Sequence, residues 1–142
     1  MRRTLAIVIV LLLCAGAARA QTVRTLQQFD AGTTVRLKVG EDFQIQLERQ
    51  EGETKVWRWP IVDDHVIRVA APPTETRAKE RPGVVIETHS FRAVAPGTTN
   101  LYAELVDAAN PTKVFARFPV TVQVVTSPAA EVKGAQSNLL VR

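Results

Sequence analysis

Apolar and polar residues in this chain alternate with a period of two, and nowhere with the spacing of an amphipathic helix. Phe43, Ile45 and Leu47 are apolar, and Gln44, Gln46 and Glu48 lie between and after them. Successive side chains of a strand point to opposite faces, so the pattern predicts a strand with one face on a core. Val35, Leu37 and Val39 carry the same period earlier, and Leu101, Ala103 and Leu105 later. Phe118, Val120, Val122 and Val124 carry it near the end. No segment places apolar residues convincingly at i, i+3 and i+4.

The stretches between these runs read as turns. Gly40-Glu41 turns into the Phe43 strand, and Gln50 to Lys55 is a polar loop containing Gly52. Trp57 and Trp59 mark the returning strand, which stops at Pro60. Asp63-Asp64 is a turn and His65 to Ala70 a short strand. Ala71 to Pro82 holds three prolines and no apolar residue larger than alanine, and is expected to be a long polar loop. Val84 to Val94 is a strand stopped by Pro96-Gly97, and Thr99 to Val106 is the next. Asp107 to Thr112 is a turn-rich loop, and Pro119 predicts an edge strand or a bulge in the last strand. About seven to eight short strands with turn signals every ten or so residues predict an all-β antiparallel β-sandwich. The domain spans 33–126, behind a lead-in at 21–32 and ahead of a flexible tail at 127–142. The loops at 50–55, 71–82 and 107–112 are alternate connections, so they share one end of the sandwich. Loops gathered on a rigid scaffold are a common place for binding.

The first twenty residues read as a signal peptide. Arg2 and Arg3 precede an apolar run from Leu5 to Cys14, and Ala18-Arg19-Ala20 supplies a cleavage site. The run is too short to span a bilayer, which takes about 20 apolar residues. Cleavage between Ala20 and Gln21 predicts a periplasmic or secreted protein with no membrane span. It also removes Cys14, the single cysteine, so thiol nucleophiles and thiolate metal sites are excluded. Of the 18 Lys and Arg, three lie in that segment, and the rest nearly balance the 14 Asp and Glu at about +1. That balance calls for neither nucleic acid nor an anionic membrane.

Catalytic chemistry finds little support. His65 and His89 are far apart, and Asp63-Asp64-His65 puts neighbouring side chains on opposite faces of a strand. No G-x-S-x-G motif or phosphate-cradling glycine loop occurs. The expectation is a non-enzyme with no cofactor and no metal, a monomer that binds a protein partner. Trp57 and Trp59 read as core and rim packing, or else as a stacking platform for sugars or peptides. Arg77, Lys79 and Arg81 are interrupted by Glu80, as in a solvated loop. Asn110-Pro111-Thr112 is no glycosylation acceptor, because proline sits in the middle.

The spacing resembles the chagasin family of secreted inhibitors of papain-like cysteine proteases. That family's first signature reads roughly I-x-L-x-x-N-P-T-T-G-Y-x-W, and Ile45, Leu47 and Trp57 fall at its offsets without a gap. On a later frame, F-x-F-x-A-x-x-x-G-x-x-x-L-x-L-x-Y, this chain has His89, Phe91, Ala93, Gly97, Leu101, Ala103 and Leu105. The ending FPVTVQVV is similar to the family's last strand. The likeness covers about Val35 to Val125 and implies an immunoglobulin-like sandwich whose three loops occlude a protease cleft. The loops that would do so are Gln50, Glu51, Gly52, Glu53, Thr54 and Lys55, then Arg81, Pro82 and Gly83, then Asp107, Ala108 and Ala109. Their chemistry departs from the family's. Gln50 to Thr54 replace N-P-T-T-G, only Gly83 remains of G-x-G-G, and Asp107-Ala108-Ala109 replace R-P-W. A non-inhibitory structural or protein-interaction module of the bacterial envelope is the alternative reading.

Overall fold

The computed structural model describes residues 23–126 and contains eight strands in two four-stranded sheets. In chain order these are β1 (Arg24–Gln27), β2 (Thr34–Lys38), β3 (Asp42–Gln50), β4 (Lys55–Arg58), β5 (Ile67–Arg77), β6 (Val84–Ala93), β7 (Gly97–Asp107) and β8 (Val114–Val125). One sheet runs β1-β3-β6-β5 and the other β2-β8-β7-β4. The sheets face each other as an immunoglobulin-like β-sandwich. The expected signal peptide, its cleavage site and the expected tail lie outside the described residues.

Period two does the work of packing. Phe43, Ile45 and Leu47 of β3 are fully buried, as are Phe91 and Ala93 of β6. Phe118, Val120, Val122 and Val124 of β8 pack on them from the other sheet, with Val35 and Leu37 of β2. Phe43 stacks on Phe91 at 5.4 Å between ring centroids. Each of the larger of these side chains contributes about 1.5–3 kcal/mol by leaving water. Without a disulfide, this core and the ladders hold the domain.

Several details differ from the sequence reading. The lead-in contributes β1, which pairs parallel to β3 from Arg24↔Phe43 to Gln27↔Gln46. Its four residues bury only Leu26, too little for a periodic signal. β2 likewise pairs parallel to β8, so the sandwich is antiparallel except at these two edge strands. Most of the expected loop at Ala71–Pro82 is strand, because β5 runs to Arg77. β5 is an edge strand exposed on both faces beyond Ile67, which erases the alternation, and its register shifts around Pro72 and Pro73. The connection that remains is 78–83. Pro119, lastly, lies in β8, an interior strand rather than an edge. Its carbonyl accepts from Gly32 N at 2.7 Å, so its missing N–H faces the same side, where β2 has not yet begun. No ladder bond is lost there.

Candidate functional site

The three connections at one end meet through backbone hydrogen bonds. Glu51 N donates to Gly83 O at 2.7 Å, tying the first loop to the second. Ala108 N donates to Thr54 O at 2.8 Å, tying the third loop to the first. The first loop therefore sits centrally, with the others on its flanks. Gln50 is the last residue of β3 and Lys55 the first of β4, so the four residues between them cross from one sheet to the other. Glu51, Gly52, Glu53 and Thr54 are exposed, as are Arg81, Pro82, Gly83, Ala108 and Ala109. Asp107 is the last residue of β7, opposite Lys55 in the ladder.

Local chemistry shapes each loop. Gly52 has φ +79°, a conformation that costs other residues about 1–2 kcal/mol. In the third loop Asp107 Oδ1 accepts from Ala109 N at 2.9 Å, and Asn110 O accepts from Lys113 N at 2.9 Å. In the second, Val84 N donates to Arg81 O at 3.2 Å and Ala78 N to Val84 O at 2.9 Å.

Three charged pairs at the loops close within the chain. Arg81 forks onto Glu48, with Nη1 2.7 Å from Oε2, and holds the Glu48 carboxyl below its ordinary value by hydrogen bonding. Arg77 pairs with Glu51, and Lys55 lies 3.1 Å from Glu53. Burying a bare carboxylate in a partner's cleft is costly, whereas a paired one carries its counter-charge with it. The basic run Arg77, Lys79, Arg81 is thus largely spent on neighbouring acids.

Beneath the central loop a charged cluster replaces the hydrocarbon core. Arg49 Nε lies 2.6 Å from Glu87 Oε1, and Arg49 Nη2 lies 2.8 Å from Glu75 Oε1. Burial pushes the Glu87 carboxyl up, but His89 and Arg49 outweigh it and hold the group below its ordinary value. His89 Nε2 is 3.3 Å from Glu87 Oε2, yet too poorly aligned to count as a hydrogen bond. Trp59 packs edge-on against His89 and Phe91. The resemblance points to the His89 frame position. Glu87 and Arg49 carry no such signal, because charged residues on a strand read as solvent-facing.

Trp57 is 7% exposed, and its Nε1 donates to Glu48 O at 3.0 Å, bridging the two sheets below the loop. A ring buried in that way cannot serve in a stacking platform. Trp59 is partly buried just past the end of β4. His65 lies in a turn rather than a strand, with 94% of its side chain exposed. Among the described residues no three His, Cys, Asp or Glu are placed to hold a metal ion.

No protein-family model and no curated protein matches the chain in sequence. Solved structures do match it in fold. The cysteine protease inhibitor EhICP2 from Entamoeba histolytica superposes with a TM-score of 0.60 at 13% identity, over 72% of this chain and 95% of that one. Amebosin superposes with a TM-score of 0.56 at 14% identity, over 72% of this chain and 98% of that one. These neighbours are of the chagasin family, so the likeness read from strand spacing holds at the level of the fold.

Proposed function

We propose that this chain inhibits papain-like cysteine proteases by inserting its three-loop ridge into the active-site cleft. One observation carries the reading. The bonds from Glu51 N to Gly83 O and from Ala108 N to Thr54 O join three exposed loops into one surface before any partner arrives. Preorganisation of that kind lowers the ordering cost of binding. The shared fold with a cysteine protease inhibitor supports the choice of partner. The internal pairs of Glu51 and Glu53 answer the electrostatic objection to an acidic wedge. Gln50 to Lys55 would enter the cleft, with Arg81 to Gly83 and Asp107 to Ala109 against its walls.

Titration of the purified protein against papain and cathepsin-like enzymes tests this. Inhibition that is lost when Gly52 and Glu53 are replaced together, with the fold intact, supports it. No inhibition at micromolar excess removes the usual-target reading. The changed loop chemistry favours a second reading, a non-inhibitory interaction module, for which a stable non-protease partner would be recovered from an envelope fraction. The proposal includes export as a monomer, with cleavage between Ala20 and Gln21. Mass spectrometry of the protein recovered from outside the cytoplasm checks that step.

A further inference from the structure

A groove of about 460 Å³ runs along β7 and β8 on the outer face of the second sheet, away from the loop ridge. At one end Glu104 of β7 is only 6% exposed although it points outward. Its cover is two guanidinium groups, not core packing. Arg58 Nη2 lies 2.8 Å from its Oε2, and Arg117 Nε lies 3.2 Å from its Oε1. One carboxylate against two guanidiniums leaves one positive charge. Arg117 is 67% exposed in its side chain and uses only Nε here, so its terminal nitrogens have no partner among the described residues. Two residues along, Tyr102 lies beside Pro119, its cross-strand neighbour. Two further, Asn100 Oδ1 accepts from Thr121 Oγ1 at 3.1 Å, which leaves the Asn100 amide nitrogen free among the described residues. Asn100 to Glu104 spans about 13 Å of strand.

We propose that this groove binds an acidic oligosaccharide. The sugar's carboxylate takes the free fork of Arg117, as charge-assisted pairs of this type do. The C–H face of its ring lies on Tyr102 and Pro119, and a hydroxyl accepts from Asn100. An acidic peptide shares the charge but lacks the flat hydroxylated ring that the floor and the amide suit. The site is independent of the loop ridge and does not depend on the inhibitor reading.

Titration of the isotope-labelled protein with an oligogalacturonate, followed by amide shifts, tests it. Expected are shifts confined to residues 100–104 and 117–121, with binding weakened at least tenfold in Arg117→Gln and in Tyr102→Ala. Raising the salt from 50 to 500 mM should weaken it severalfold. Arg117→Lys, which keeps the charge beside Glu104, separates a lost contact from a lost fold and should retain part of the affinity. The idea is overturned if a neutral galactose oligomer binds equally well. It is also overturned if a poly-glutamate peptide moves the same amides as strongly, or if no shift occurs at millimolar sugar.

Discussion

Replacing Arg49 by methionine should destabilise this domain strongly, because it leaves a buried carboxylate without its guanidinium partner. The side chain of Arg49 is 14% exposed and that of Glu87 8%. Methionine keeps the apolar stem and removes the 2.6 Å contact to Glu87. A buried carboxylate left without its partner costs about 3–5 kcal/mol. Glu87 retains His89 at 3.3 Å, which places the cost near 3 kcal/mol at neutral pH. The lost pair with Glu75, whose side chain is 56% exposed, adds at most about 0.5–1 kcal/mol. Urea unfolding at pH 7 should show the midpoint falling by about 1–3 M, given ordinary slopes for a domain of this size. Changing both partners, Arg49→Met with Glu87→Leu, removes the bare charge as well and should recover most of the loss. The pH dependence supplies an independent check. In the single variant a proton taken up by Glu87 relieves the unpaired charge. Its stability relative to the parent should therefore rise as the pH falls from 7 to 5. A single variant within about 1 kcal/mol of the parent, or a double variant no better than the single, would refute this account.

Other outcomes follow from the same structure. The parent should lose stability below about pH 5, because Asp42, Glu48, Glu87 and Glu104 all sit below their ordinary values of 3.8–4.5. The unfolded chain then binds protons first, so these contributions are complete above the unfolded values and fade as the pH falls through the folded ones; thermal melts from pH 7 to pH 3 measure it. Gly52→Val should cost about 1–2 kcal/mol through its φ of +79° alone, since a Cβ there meets no atom within 4 Å. Gly52→Asn should cost less, and calorimetry can rank the pair. Gly97→Ala should cost about 1–3 kcal/mol, because its Cβ would lie 3.0 Å from Val66 Cγ2. Trimming the neighbour with Val66→Ala should make the Gly97 substitution cheaper, which a double-mutant cycle reads directly.

How far the chain could be read depended on burial. Phe43, Ile45, Leu47, Phe118, Val120, Val122 and Val124 announce their strands because one face is dry and the other wet, and all seven are buried. The sandwich, its central strands and the position of the first loop were therefore legible from alternation and turn residues. β5 from Ala71 to Arg77 was not, because an edge strand wet on both faces has no alternation to display. β1 was too short to show one. The parallel pairing of β1 and β2 was equally hidden, since a side-chain pattern is the same whichever way a neighbour runs. At the candidate site, sequence supplied the loop residues and their charges. Tertiary structure alone decided that Arg77 meets Glu51, that Arg81 meets Glu48, and that Arg49 and Glu87 close on each other beneath the loops. These partners lie 26 to 38 residues apart in the chain. A charge shows no partner in a linear pattern, and the register of β3, β5 and β6 together with the loops they carry brings these groups within bonding distance.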